Sequence, residues 1–536
     1  MSNPPALLRA AAGTGMMRRP AEAEILEEAR RTRRDPLEVA TERLRVPREA
    51  FYRALARERG LPFLEAADLV VDAALVGRAP PRLVLRKAVL PLRRQGEAVL
   101  VATADPDDAA TLETLRRVLD APLALAIADP GALQAAVRRH VRAPEGEAVA
   151  AWDAVSFLDD LLRQAWLHRA SDVHLDPQED GLHVRLRVDG RLMPFGGALG
   201  QEEAQQLLSR VKVLGGLDIA ERREPQDGGF QHRHEEQAFD VRLATIPTRH
   251  GERATLRLLG VETRELTLEV LGFSPDDLRR FRLALDEPHG MVLLTGPTGS
   301  GKTTTLYAAL REVRAPELNI MTVEDPVEFL IPGITQIGVD RAGKVTFARA
   351  LRSLLRHDPD VLMVGEVRDE ETADVAVKAA MTGHLVLASL HANRAAGAPA
   401  RLVDLGCEPF LVSATLRAAI AQRLVRRLCA CRAPTTAGAA ALARLVGSEG
   451  GRDNERPVFE PAGCPACLGT GYRGRLAVVE ALWVDEAVAA LVARGAGADE
   501  VARLARAGGA PTLAEDALRK VLDGSTSLAE ALEARA

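Results

Sequence analysis

Apolar positions recur at helical spacing over Ala21 to Arg30 and Pro47 to Arg57, and the pattern stops at Gly60-Leu61-Pro62. That spacing puts the apolar side chains on one face, so residues 1–60 read as a segment of small helices. Over residues 61–141 the period changes. Lys87 to Leu92 and Ala98 to Thr103 are short apolar runs suited to buried strands, and Asp107 to Leu119 returns to helical spacing. This predicts a small α/β module. Residues 142–154 read as a linker, because Arg142 to Ala151 is rich in small residues and has no periodicity. A helix is expected from Ser156 to Trp166. Strict alternation follows in Leu182-His-Val-Arg-Leu-Arg-Val-Asp189, which ends on the turn Asp189-Gly190 and returns at Phe239 to Ile246 and Arg253 to Leu259. Period-two runs closed by such a turn predict antiparallel strands with one wet face, so residues 155–261 read as an α+β domain. From 262 to 536 apolar strands alternate with helices, the pattern of a parallel sheet covered on both faces.

The chain has 536 residues, 47% hydrophobic and 27% charged. That is too long for one core and ordinary for globular domains. Its net charge of −5 shows no concentrated basic excess, so no direct contact with nucleic acid is expected. The stretch Arg30 to Arg34 reads as a solvated helical face. No apolar run approaches the ~20 residues of a membrane-spanning helix, and Met1 to Pro20 lacks the features of an export signal. A cytoplasmic location follows as an expectation. Four of five cysteines fall in two tight pairs, Cys429/Cys431 and Cys464/Cys467, which in a reducing compartment suggests a metal clip before disulfides. Cys407 reads as a core residue.

Chemistry concentrates in the last third. Gly296-Pro297-Thr298-Gly299-Ser300-Gly301-Lys302-Thr303 matches the phosphate-loop pattern in full, with Thr304 next to it. The context agrees: Met291 to Thr295 is an apolar strand, and Leu306, Leu310 and Val313 share one face of a following helix. Glycines let backbone N–H groups converge on phosphate oxygens, and the helix dipole adds to that field. Lys302 supplies charge to the β- and γ-phosphates, and Thr303 can ligate Mg²⁺. Thus ATP and Mg²⁺ are the expected ligands.

Two apolar strands downstream each deliver an acid to the sheet edge: Asn319-Ile-Met-Thr-Val-Glu324-Asp325 and Asp360-Val-Leu-Met-Val-Gly365-Glu366-Val-Arg368. Hydrolysis needs one carboxylate to orient or deprotonate water and another to hold the Mg²⁺ shell, and Glu324 and Glu366 fit those tasks. A helix from Glu370 to Thr382, closed by Gly383, leads into a strand bracketed by His384 and His391. Their spacing suits opposite ends of the strand rather than one metal site; a role sensing the γ-phosphate or a subunit contact is expected.

This order of motifs resembles the type II secretion and type IV pilus-assembly ATPases of the GspE/PilB type. In that family these stretches are the Walker A, aspartate-rich, Walker B and histidine boxes. Upstream, Ala170-Ser-Asp-Val-His-Leu, Arg187-Val-Asp-Gly, Pro225-Gln-Asp-Gly and Asp240-Val-Arg242 resemble the domain preceding the motor. Residues 61–141 resemble its N-terminal docking module. The resemblance covers about nine-tenths of the chain. It implies a RecA-like motor domain and a homo-hexameric ring at an inner-membrane platform, with arginines reaching a neighbour's phosphates. Arg242 matches one such position; the other is Gly229 here, so Arg233 or Arg223 substitutes or turnover is slow. Cys464 and Cys467 match half of the family's zinc module, whereas Cys429 and Cys431 are one residue closer than usual. Zinc on the four thiolates is expected. Cyclic di-GMP is not expected, because the arginine-leucine-glycine repeats that bind it in some relatives are not recognisable in residues 21–60. A nucleic-acid uptake or transfer motor, and a nucleotide-binding scaffold with weak hydrolysis, remain as alternatives.

Overall fold

The computed structural model describes residues 4–534 apart from 18, 33, 45, 81–82, 85–86, 88, 141–151, 235–236, 260–266, 340–343, 438, 447–455 and 468. Two compact units result, 1–262 with 463–471, and 263–462 with 472–536. The expected linker Arg142 to Ala151 and most of the joint after 261 lie outside the described residues.

Four N-terminal helices, Pro4–Gly13, Arg19–Thr32, Pro36–Leu44 and Arg48–Arg59, stand where apolar spacing marked two. The two missed helices have ten and nine residues, too short for periodicity to emerge over a reading window. Leu7, Leu8, Ile25, Leu37, Phe51 and Tyr52 are buried in one continuous core with Leu90, Val101, Leu115 and Ile127. The helical segment therefore shares its interior with the α/β module, whose strands β1 (Phe63–Leu64), β2 (Val89–Gln95), β3 (Ala98–Thr103) and β4 (Leu123–Ala128) form a sheet in the order β1-β4-β3-β2.

The next sheet has six antiparallel strands: β5 (Ala170–Gln178), β6 (Gly181–Val188), β7 (Arg191–Pro194), β8 (Gln226–His234), β9 (Gln237–Thr248) and β10 (Gly251–Leu258), ordered β7-β6-β5-β10-β9-β8. Its apolar positions, among them Val173, Leu186, Leu243 and Leu256, share a core with helices Ala154–Leu167 and Gln201–Gly215. The alternate positions form a charged row across the sheet: Arg187 pairs with Asp172, Asp172 with Arg257, Arg257 with Arg242, and Arg242 with Gly229.

In the second unit a seven-stranded sheet carries β11 (Gly290–Thr295), β12 (Ile320–Glu324), β13 (Thr335–Gly338), β14 (Val361–Val367), β15 (Leu385–Leu390), β16 (Leu416–Leu428) and, after the hairpin β17 (Ala433–Ala437) and β18 (Arg456–Glu460), β19 (Tyr472–Trp483). Its order is β13-β12-β14-β15-β11-β16-β19, parallel except for the last pair. Separate apolar clusters cover its two faces, one with Leu293, Val323 and Leu362, the other with Val292, Leu294 and Met363. Consecutive residues of a strand thus face opposite cores, which explains near-continuous apolar runs in place of alternation. β11 is an interior strand, wholly buried, and its C-terminal end opens onto the phosphate loop. No described helix is long and apolar enough to cross a membrane.

Candidate nucleotide site

The loop after β11 takes a shape that only glycine fits at two points. Gly296 has φ +143° and Gly301 φ +87°. A Cβ at 296 would lie 2.5 Å from the Gln422 carbonyl oxygen, and one at 301 would lie 2.7 Å from Gln422 Nε2. The wall behind the loop is therefore Gln422 on β16, a residue that sequence reasoning did not single out. Its side chain is 1% exposed. It donates to the Ser300 carbonyl at 2.7 Å and accepts from the Thr305 hydroxyl at 2.8 Å, tying the loop to the helix that follows.

That helix, Lys302–Val313, buries Leu306 and Leu310 against the sheet. Its first turn presents Lys302, Thr303 and Thr304, with Thr303 exposed and the other two half-buried. Lys302 Nζ donates to the carbonyls of Gly296 at 2.9 Å and Pro297 at 3.1 Å. Burial holds the Lys302 ammonium below its ordinary pKa, with Glu366 pulling the other way and Arg423 adding to the depression. Pro297, Thr298 and Gly299 are exposed at the tip of the loop, whereas Ser300 is buried. Glycine-shaped turns, a helix N-terminus and an ammonium form the donor set that suits a nucleotide polyphosphate.

Glu366 lies near the end of β14, where the register with β15 shifts between Val364 and Val367. Arg368 Nη2 donates to Glu366 at 2.5 Å, and His391 pairs with the other oxygen. Burial works against the Glu366 charge, but these two partners outweigh it and hold the carboxyl below the ordinary glutamate range. With the Thr303 hydroxyl, this carboxylate offers the hard oxygen ligands that Mg²⁺ takes. The β15 end is fixed as well, since the Thr295 hydroxyl donates to the Ala392 carbonyl at 2.6 Å and accepts the Ala392 N–H at 2.7 Å.

The two histidines separate. His391 follows the C-terminal end of β15, beside Glu366. His384 precedes the strand, with its Nδ1 2.9 Å from the Ala379 carbonyl, and its own carbonyl accepts from Gly290, the first residue of β11. A whole strand length lies between His384 and the loop after Thr295, so the expected γ-phosphate contact does not hold for His384 within its own subunit.

Glu324 closes β12 and is 2% exposed, with its carboxylate held by Tyr307, Thr322 and Gln336. It is a buried acid held by three donors rather than a loop residue at the sheet edge. Arg242 lies half-buried on β9, directly across from Gly229. Arg233 stands on the same face four residues further along β8, and Arg223 is exposed before that strand.

The sulfurs of Cys429, Cys431, Cys464 and Cys467 all lie within 4.8 Å of one another, despite the short first pair. Backbone N–H groups of Cys464 and Gly471 each point at Cys467 Sγ from 3.1 Å, the donor environment a thiolate needs. Four such sulfurs fit a tetrahedral zinc. Cys407 is buried, as expected for a core residue, and burial raises its thiol pKa to about 11.

Residues 150–533 match the family model described as type II/IV secretion system protein, and residues 59–147 match the MshEN domain. The chain is 39% identical over 509 residues to the type IV pilus assembly ATPase PilB of Thermus thermophilus, covering 90% of this chain and 57% of that one. It is 46% identical to the type II secretion system protein HxcR of Pseudomonas aeruginosa, covering 70% of this chain and 76% of that one. For the PilB of Myxococcus xanthus the identity is 37%, with 89% of each chain covered. Among solved structures, the Legionella pneumophila ATPase DotB shares the fold with a TM-score of 0.54 at 23% identity, over 72% of this chain and 96% of that one. The chain belongs to the type II/IV secretion system protein family, which holds the ATP-hydrolysing motors of protein secretion and type IV pilus assembly.

Proposed function

We propose that this chain is the subunit of a homo-hexameric ring that hydrolyses ATP and turns the energy into protein secretion or pilus assembly. The observation that carries the reading is the pair of glycine-shaped turns at Gly296 and Gly301, with Lys302 donating back to the loop carbonyls at the C-terminal end of β11. In this reading the loop amides, Lys302 and Thr304 bind the phosphates, while Thr303 and Glu366 hold Mg²⁺. Glu324 acts on the attacking water, and His391 reports on Glu366. Arg242 reaches the phosphates of a neighbouring subunit, where an arginine stabilises transition-state charge. The ring works in the cytoplasm and meets the inner membrane through platform proteins of the apparatus, and the four cysteines hold zinc.

Steady-state phosphate release from the purified chain tests this. Lys302→Ala is expected to lower the rate by about 100-fold or more, because it deletes the one full charge aimed at the β- and γ-phosphates. Unchanged turnover in a folded Lys302→Ala preparation would sink the motor. Gly229 favours a second reading, a nucleotide-binding scaffold. That reading predicts no phosphate release even from the wild type with its membrane partners present.

A further inference from the structure

The end of β12 holds a polar cluster in apolar surroundings. Thr322 Oγ1 donates to Glu324 Oε1 at 2.6 Å, Gln336 Nε2 donates to the same oxygen at 3.0 Å, and the Tyr307 hydroxyl donates to Oε2. Tyr307, Thr322 and Glu324 are all buried. Among the described residues no ion pair reaches Glu324, so three uncharged donors satisfy the carboxylate, as an acid out of water requires.

The donors are themselves fixed. Tyr307 Oη accepts the Glu328 N–H at 3.2 Å, and its ring meets Phe329 edge-on with centroids 4.7 Å apart. Gln336 Oε1 accepts the Ile331 N–H at 2.6 Å, and its Nε2 also donates to the Phe329 carbonyl at 3.1 Å. Burial, and after it the Glu324 carboxylate, push the Tyr307 phenol above its ordinary pKa, so it remains a donor.

A buried tyrosine ordinarily needs only some partner for its hydroxyl, and a core-packing role would account for the ring. It does not account for the choice of partner. Tyr307 lies on the helix that begins with Lys302 and Thr303, and its hydroxyl lands on the acid assigned to the attacking water. We propose that Tyr307 is a positioning residue for hydrolysis: its hydroxyl ties the Glu324 carboxylate to the helix that grips the nucleotide, so one rigid element sets both. The inference rests on the reading of Glu324 as the group that acts on water.

Tyr307→Phe removes one oxygen and keeps the ring against Phe329. On the full-length protein with Mg²⁺ and ATP, kcat is expected to fall about 10- to 100-fold, the scale of a misplaced catalytic group, with KM unchanged. Calorimetric affinity for a non-hydrolysable analogue should also hold. In a Glu324→Gln background the same change should cost nothing more, because the hydroxyl acts through the carboxylate. Thr322→Val, which deletes another donor to that carboxylate, should repeat the kcat-only signature, and it replaces Tyr307→Phe if that variant folds poorly. An unchanged kcat overturns the inference, as does a loss matched by weaker binding or one fully additive with Glu324→Gln. Wild-type turnover in Glu324→Gln alone is a different failure, because it removes the underlying reading of Glu324.

Discussion

Gln422 shows how a phosphate loop depends on a residue outside its own motif. Its amide contacts Ser300 from 122 positions away and Thr305 from 117, so no local pattern could reveal it; in the sequence it is one of several polar positions along β16. The glycines of the loop were legible for the opposite reason, since their requirement lies in the backbone itself. Glu366 was legible as an acid at a strand end, but the register shift around it and its pairing with Arg368 and His391 were not. Gln422→Glu keeps shape and volume while removing the donor to Ser300, and it sets a carboxylate behind the loop. Leaving a buried carbonyl unpaired costs about 1–3 kcal/mol, so affinity for an ATP analogue with Mg²⁺ should fall by roughly 5- to 150-fold. Calorimetry showing wild-type affinity would exclude Gln422 as part of the cradle.

At the scale of elements, strands survived the passage from sequence to structure best. Ala98–Thr103 begins and ends where its apolar run does, and β15 sits between its two histidines. The register of β8 against β9, however, depends on pairing that no local window contains. So does the anchor of the segment between helix Gln201–Gly215 and β8. There Lys212, 2% exposed, donates to the Glu221 carbonyl at 2.6 Å and to Glu252 on β10 at 3.0 Å. A buried ammonium reads in sequence as one more surface lysine. Lys212→Met should destabilise the protein by about 3–5 kcal/mol, since it strands the Glu252 carboxylate, while Lys212→Met with Glu252→Leu should recover much of that loss. Chemical denaturation of the wild type and the two variants checks both halves, and equal stability of single and double variants would mean that Lys212 matters through the Glu221 carbonyl instead.

For the whole molecule, the pairing of Gly229 with Arg242 bears on how a ring could share its active sites. An arginine at 229 would stand directly across the strand pair from Arg242, and like charges so placed repel. With glycine there, Arg242 faces no second guanidinium from β8, and its other register partner, Arg257 on β10, is paired with Asp172. Mixed rings test the direction in which Arg242 acts. Arg242→Ala leaves a subunit's own Glu366 intact, and Glu366→Gln leaves its Arg242 intact; each variant alone should be nearly inactive. If Arg242 acts within its own subunit, every subunit of a mixture carries one defect and turnover stays at the floor. When it acts across a head-to-tail interface, random mixing of equal amounts joins an intact Glu366 to an intact neighbouring Arg242 at about one quarter of the interfaces, and phosphate release should recover toward that fraction. No recovery in rings shown to be assembled would assign Arg242 to its own subunit and leave Arg233 or Arg223 as the residues to test next.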